Sequence, residues 1–195
     1  MRSRVAFDQG SLFGVEPRQA TDKLFYALLP PADIARRTAE MAADLRVHNH
    51  LSKQPVAADR FHVTINHVGS YVGVPNGVLD SAMRAGAAVS ATPFEVKFDY
   101  AQTFRGKPGN YPFVLRNDQP PAELMAFQQS LALEMMKAGL KLDTKFTPHM
   151  TLSYDSVQTE RQPIERLSWM ATEFVLVHSL IGQTRHIVLG RWPLL

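Results

Sequence analysis

The 195-residue sequence contains no cysteine, and this absence excludes several kinds of site and scaffold. Without thiols the chain cannot form a disulfide framework, a thiolate zinc site, an iron–sulfur cluster or a cysteine nucleophile. No apolar run approaches the roughly twenty residues that a membrane-spanning helix needs. Polar residues follow the arginines at the start of the chain, where a signal peptide would have its apolar stretch. We therefore expect an unprocessed, soluble, cytoplasmic protein.

The net charge of the sequence is also small. The chain has 21 Lys and Arg residues against 18 Asp and Glu residues, a formal net charge of +3. So small an excess cannot supply the strong non-specific duplex binding of a basic DNA-binding domain, but it suits a small acidic substrate or a short nucleic acid. The hydrophobic fraction of 45% is sufficient for a buried core. The composition therefore predicts a globular domain.

The apolar pattern predicts a repeated order of helices and strands. Residues 1–21 are polar and without a period, so we expect a flexible tail followed by a single domain over residues 22–195. Because a helix precedes a strand in each half, the pattern favours an α+β fold with two pseudo-symmetric lobes. Strands are predicted at residues 23–29, 60–68, 94–104, 111–115, 146–154, 173–181 and 184–191, and helices at about 32–46, 76–89 and 121–138.

Two short segments repeat the pattern His-x-Thr-aliphatic. They are His62-Val-Thr64-Ile in the first half and His149-Met-Thr151-Leu in the second. Alternate residues of a strand share a face, so each segment should present an imidazole and a hydroxyl side by side above a hydrophobic face. One copy alone is typical of the solvated face of a sheet. Two copies in equivalent positions favour a functional interpretation.

The same alternation assigns the flanking residues to faces. Asn66 should lie on the face of His62 and Thr64, with His67 on the core side. In the second segment Ser153 should lie on the face of His149, with Tyr154 on the opposite face. His178 and His186 fall in the predicted C-terminal hairpin, where a cross-strand structural role is expected.

Two imidazoles and two hydroxyls that converge on one volume suit a phosphodiester. One neutral imidazole takes a proton from the attacking water, and the other, protonated, gives one to the leaving oxygen. The threonine hydroxyls can donate hydrogen bonds to the phosphoryl oxygens, on which charge accumulates. This chemistry requires no metal and no cofactor.

The two segments and the early strand Lys23–Leu29 resemble the 2H phosphoesterase superfamily, and within it the RNA 2′,3′-cyclic phosphodiesterases, also called 2′-5′ RNA ligases. The resemblance implies a bilobal LigT-like fold in which two antiparallel sheets flank a central cleft and the helices lie outside. It implies metal-independent hydrolysis of 2′,3′-cyclic phosphates on RNA ends or cyclic nucleotides to 2′-phosphates, with weak 2′-5′ ligation in reverse. It also implies that His62 donates the proton, His149 accepts it, and Thr64 and Thr151 hold the phosphate.

Further residues are candidates for substrate binding. Phe104 and Arg105 lie in a loop that could close over the cleft, and Tyr154 follows the second motif where relatives often carry an arginine. A solvated hairpin loop is the alternative for Phe104 and Arg105. In the tail, Gln9-Gly-Ser-Leu-Phe13 resembles the peptide with which bacterial replication and repair proteins dock on the sliding clamp.

Two other functions remain open at this point. Hydrolysis of ADP-ribose 1″,2″-cyclic phosphate would use the same chemistry in a different pocket. A nucleotide- or RNA-binding module on the same fold would have little catalysis, although a pure binder needs no pair of proton-transferring histidines. We expect a monomer whose partners are RNA ends or small cyclic nucleotides, with no membrane contact.

Overall fold

The computed structural model describes residues 19–142 and 146–195, and this part of the chain folds into three α-helices and eight strands. The predicted clamp-binding peptide, Gln9–Phe13, lies outside the described residues, as does most of the predicted tail. The elements are β1 (Asp22–Leu28), α1 (Ala32–His48), β2 (Val63–Tyr71), α2 (Asn76–Ala88), β3 (Phe94–Thr103), β4 (Tyr111–Arg116), α3 (Ala122–Lys137), β5 (Met150–Asp155), β6 (Gln162–Ala171), β7 (Glu173–Leu180) and β8 (Arg185–Pro193), with a 3-10 turn at Ala58–Arg60.

All of the strand pairs in this part of the chain are antiparallel, and the strands follow the order β6-β3-β4-β5-β2-β1-β7-β8. The order divides into two halves of four strands, with β5 and β2 in the middle. These two strands are joined through one residue pair, Val63 and Met150. The predicted pair of antiparallel sheets is therefore one continuous sheet with a narrow seam, because this pairing continues the hydrogen-bonded ladder from one half to the other.

One face of the sheet packs against the helices. Leu24, Tyr26 and Leu28 alternate along β1 into the main core, where the Tyr26 hydroxyl donates to the carbonyl of Ala82 in α2 at 2.5 Å. Phe25 and Ala27 point the other way and pack with residues of β7 in a smaller cluster. The period of two in β1 thus assigns one face to the core and leaves the other for the cleft. Among the described residues, no helix is long and apolar enough to cross a membrane.

The sequence patterns missed β6 entirely. This strand lies at one end of the sheet and pairs with β3 alone, so only part of its length is buried. Leu167, Trp169 and Ala171 alternate inward in its second half, but Pro163, Glu165 and Arg166 and a shift of register interrupt the pattern in its first half. Proline and charged side chains are typical of edge strands, which have no second neighbour to accommodate.

The side chain of Phe127 in α3 connects the two halves of the sheet. Its ring lies 5.6 Å from that of Phe94 on β3 and 5.0 Å from that of Phe174 on β7, measured between centroids. Because β3 and β7 belong to different halves, this buried ring ties them together from the helical side.

We expect Phe127→Ala to lower the free energy of unfolding by about 3–5 kcal/mol, as truncation of a buried phenylalanine usually does. Urea denaturation would measure the loss, with Phe127→Leu as the conservative control that retains most of the stability. A loss below about 1 kcal/mol for the alanine variant would contradict this role.

Candidate active site

The two histidines of the repeated motif lie at the seam of the sheet. His62 immediately precedes Val63 and His149 immediately precedes Met150, the two residues that pair across the seam. Continued by one residue each way, this antiparallel register sets His62 opposite Thr151 and His149 opposite Thr64. Directly opposite residues have Cβ atoms about 4.5–5.5 Å apart, so the fold brings both motifs to one place.

A cavity of about 240 Å³ opens at this place, and we call it the seam cavity. Its lining includes His62, Thr64 and Thr151, as well as Tyr154, which is 46% exposed. His149 lies beside the cavity, close enough to His62 for its charge to lower the pKa of that imidazole. The structure therefore brings together the two histidines, the two threonines and Tyr154.

The hydrogen bonds of the two imidazoles are the same. In each ring Nδ1 lies 2.7 Å from the carbonyl oxygen two residues earlier, that of Arg60 for His62 and that of Thr147 for His149. A carbonyl oxygen only accepts hydrogen bonds, so Nδ1 carries the proton in both rings. Nε2 of each neutral imidazole is then left with the lone pair that can take or return a proton.

Both histidines are held in the neutral form. Burial lowers the pKa of His62 to about 4, and the neighbouring charges of His186, His149 and Arg60 act in the same direction. Burial also lowers the pKa of His149, with a further contribution from the guanidinium of Arg116. The hydrogen bond from each ring to its backbone carbonyl raises the pKa, but it offsets only part of the effect of burial.

An aromatic ring packs on each histidine. The centroid of the Phe25 ring lies 5.0 Å from that of His62, and the centroid of the Phe104 ring lies 5.0 Å from that of His149. Phe104, a predicted substrate-binding residue, is therefore brought to the site. Arg105, another such candidate, is exposed in the connection between β3 and β4 and does not line the seam cavity.

A β-bulge in β2 changes the faces that strict alternation predicts. Thr64 pairs with Ala27 and Asn66 with Tyr26, so Ile65 is an extra residue in the ladder with β1. After this bulge Asn66 turns inward and is only 4% exposed, whereas His67 lines the seam cavity. The predictions that Asn66 shares the face of His62 and that His67 faces the core are thus wrong, because a bulge shifts the period of two by one residue.

The second motif contains a bulge at the equivalent position. Leu152 is the extra residue of β5 relative to β4, and its carbonyl accepts a hydrogen bond from the backbone N–H of Val56. Ser153 consequently turns inward and is 3% exposed, while Tyr154 reaches the seam cavity. The predictions that Ser153 shares the face of His149 and that Tyr154 lies on the opposite face are therefore also wrong. The observed position of Tyr154 at the seam cavity agrees with the role in substrate binding predicted for it.

Sequence reasoning missed four basic residues of this site, of which Lys23 on β1 lines the seam cavity. His186 on β8 also lines the cavity, with its ring centroid 5.2 Å from that of His62 in an edge-to-face arrangement. Arg60 and Arg116 flank the two histidines, and the buried Nε atom of each has no hydrogen-bond partner among the residues that the structure describes.

The other histidine of the hairpin, His178, does have the expected cross-strand role, since its Nε2 lies 2.5 Å from a carboxylate oxygen of Asp22.

The donors present do not form a recognisable metal centre. Within residues 19–142 and 146–195, no group of three or more His, Cys, Asp and Glu side chains is arranged to hold a metal ion. The chemistry that these residues themselves offer is proton transfer by imidazole and hydrogen bonding to an anion.

Solved structures with this fold include several bacterial proteins. The chain is 26% identical to E. coli LigT complexed with NADP+, with a TM-score of 0.70 over 90% of this chain and 99% of that one. For E. coli LigT complexed with 3′-AMP the identity is 25%, the TM-score 0.69 and the coverage 89% and 98%. TT0787 of Thermus thermophilus is 20% identical, with a TM-score of 0.69 over 88% and 97% of the two chains. The predicted LigT-like α+β fold is thereby confirmed.

Sequence comparison leads to the same family. No curated protein matches the chain. The sequence profile of the 2′-5′ RNA ligase superfamily, however, matches residues 30–180, a range that includes both His-x-Thr motifs and most of the sheet. This membership supports a phosphoesterase or ligase activity. The chain belongs to the 2′-5′ RNA ligase superfamily, as the resemblance of its two motifs to the 2H phosphoesterases implies.

Proposed function

We propose that this protein hydrolyses 2′,3′-cyclic phosphates, at RNA ends or on cyclic nucleotides, to 2′-phosphates by acid–base catalysis without a metal. The observation that carries the proposal is the convergence of two Nδ1-protonated imidazoles and two threonine hydroxyls at the seam of the sheet. Such a set provides one proton acceptor, one proton donor and hydrogen bonds to the phosphoryl oxygens.

In the proposed reaction Nε2 of His149 removes a proton from water as the water oxygen attacks phosphorus. The bond between phosphorus and the 3′-oxygen breaks, and protonated His62 delivers its proton to that oxygen. The products are a 2′-phosphate and a 3′-hydroxyl. Thr64 and Thr151 donate hydrogen bonds to the non-bridging oxygens, which carry more charge in the transition state than in the substrate.

The assignment of His149 as the base and His62 as the acid follows the family resemblance, because both imidazoles are neutral in the free protein and a permanent cation lies beside each, Arg116 by His149 and Arg60 by His62. The permanent cation of Arg116 disfavours a proton on His149 at every working pH. His62 is also neutral in the free protein, so it must gain its proton when the anionic phosphate binds beside it. If the 5′-hydroxyl of a second RNA attacked phosphorus in place of water, the same two proton transfers would form a 2′-5′ linkage, which is weak ligation.

The relatives support a nucleotide substrate. E. coli LigT has been crystallised with NADP+, with 3′-AMP and with ATP. We propose that the seam cavity likewise takes a nucleotide, with Phe104 and Tyr154 in contact with it. Phe104 already packs on His149, and Tyr154 presents an exposed ring at the cavity.

Substitution of each histidine should separate the two proton transfers. With adenosine 2′,3′-cyclic phosphate in the presence of a chelator, we expect His62→Ala and His149→Ala each to lower kcat by about 10²–10⁴-fold. With a phosphodiester of 4-nitrophenol, whose leaving group needs no proton, His62→Ala should lose far less activity and His149→Ala should still lose most of it. Equal losses on both substrates would contradict the assignment of acid and base.

The same assay tests the proposed function as a whole. The product from the cyclic substrate should be the 2′-phosphate, as resolved by chromatography against both isomers. Full activity in either histidine variant would refute the two-histidine mechanism. Nucleotide binding by wild-type protein that hydrolyses no cyclic phosphate would favour the binding-module alternative.

The lowered pKa values predict an acid-shifted rate profile. Because both imidazoles titrate below the ordinary histidine value of 6.5 in the free protein, kcat/KM should be bell-shaped with its maximum below that pH. Bound phosphate raises the pKa of the adjacent imidazole, so the profile of kcat should lie at higher pH than that of kcat/KM. A kcat/KM maximum clearly above pH 6.5, measured at constant ionic strength, would contradict this account.

A further inference from the structure

One side of the seam cavity is not used by the proposed chemistry. The two histidines and two threonines account for the reacting phosphate, yet the cavity continues from His62 over β1, β7 and β8. Four further polar residues line it: Lys23, Ser179 and His186 on these strands, and Arg60 in the 3-10 turn before β2.

Three of these residues form a row across adjacent strands. Lys23 on β1 pairs with Ser179 on β7, and Ser179 pairs with His186 on β8. Adjacent strands lie about 4.8 Å apart, so the row spans about 10 Å of the cavity wall. Each member can donate a hydrogen bond: the ammonium of Lys23, the hydroxyl of Ser179 and, in either tautomer, the imidazole of His186.

The fourth residue, Arg60, brings a cation without a matching anion. Among the residues that the structure describes, no aspartate or glutamate lines the seam cavity. The buried Nε atom of Arg60 has no hydrogen-bond partner in the same part of the chain, and its charge lowers the pKa of both His62 and His186. Asp59 is the carboxylate that acts in the opposite direction on His186, but it lies outside the cavity lining. Arg60 is partly buried, and an anion that accepts a hydrogen bond from its shielded Nε atom would satisfy this donor.

We infer that Lys23, Arg60, Ser179 and His186 form a second phosphate subsite beside the reacting phosphate. This inference rests on the proposed function and narrows its substrate class. The preferred substrate carries, in addition to the cyclic phosphate, a phosphate on the 5′-oxygen of the same ribose, as the 3′-terminal nucleotide of an RNA does. A cyclic mononucleotide without that phosphate fills only the catalytic half of the cavity.

Binding of two products tests the subsite without any need for turnover. Calorimetry at one fixed ionic strength should show that the wild-type protein binds adenosine 2′,5′-bisphosphate about ten- to hundredfold more tightly than adenosine 2′-phosphate, the range expected for charge-assisted hydrogen bonds. In Lys23→Met the preference should fall severalfold or more, whereas the affinity for adenosine 2′-phosphate should stay within about twofold. Lys137→Met, which removes an exposed lysine on α3, should leave the preference intact.

Two results of the binding measurements would overturn the inference. One is equal affinity of the wild-type protein for both compounds, and the other is a preference that survives in Lys23→Met. Arg60→Gln provides a second variant, because its backbone carbonyl, the acceptor for His62, is retained. It too should lower the preference, and circular dichroism would verify that each variant is folded.

Hydrolysis then identifies the source of the second phosphate. kcat/KM should be higher for 5′-phosphoadenosine 2′,3′-cyclic phosphate and for a dinucleotide with a cyclic end than for adenosine 2′,3′-cyclic phosphate. A higher value for ADP-ribose 1″,2″-cyclic phosphate than for either would overturn the assignment to a 5′-phosphate on the same ribose. If the cyclic compounds are hydrolysed at equal rates and the two products bind with equal affinity, the subsite alone is refuted. If the protein prefers adenosine 2′,5′-bisphosphate but hydrolyses no cyclic compound, the proposed function alone is refuted.

Discussion

The backbone pairing of Val63 with Met150 is the constraint on which the site depends. In the described part of the chain it is the single residue pair that connects β2 to β5, and each partner directly follows a histidine of the repeated motif. Both side chains are fully buried, so the seam is fixed from the core side. The imidazoles and the threonine hydroxyls on the opposite face are consequently held close together by backbone geometry, and neighbouring strands and connections contribute the aromatic and cationic surroundings.

A β-bulge follows the threonine of each His-x-Thr motif. The bulges at Ile65 and Leu152 directly follow Thr64 and Thr151 and turn the second residue after each threonine inward. The buried oxygens of those inward residues, Oδ1 of Asn66 and Oγ of Ser153, both lack a hydrogen-bond partner among the described residues. A bulge interrupts the regular hydrogen bonds of the ladder, but each of these bulges brings one more side chain to the seam cavity. That side chain is His67 in β2 and Tyr154 in β5.

A permanent cation lies beside each histidine, so charge alone does not distinguish the acid from the base. Arg116 lowers the pKa of His149, and Arg60, together with His186, lowers the pKa of His62. The two histidines differ in their position, because His62 lines the seam cavity whereas His149 lies beside it. An anionic phosphate bound in that cavity raises the pKa of His62, as the proposed role of acid requires.

Much of the fold could be predicted from the sequence, because periodicity and proline positions determine helices and strands locally. The pair of His-x-Thr motifs also located the centre of the site, since both are short, local and repeated. The strand β6 was missed because an edge strand needs little alternation. The bulges and the approach of Arg60, Arg116 and His186 were missed because they depend on pairing between distant strands, which a single sequence does not encode in any local pattern.

If the two imidazoles act as one catalytic unit, a double-mutant cycle should show that their contributions to kcat/KM are coupled. The measurement is kcat/KM for adenosine 2′,3′-cyclic phosphate with wild type, His62→Ala, His149→Ala and the double variant. The double variant should lose little more activity than either single variant, because neither proton transfer is useful without the other. Losses that multiply would contradict this coupling, since they would show that the two histidines contribute independently.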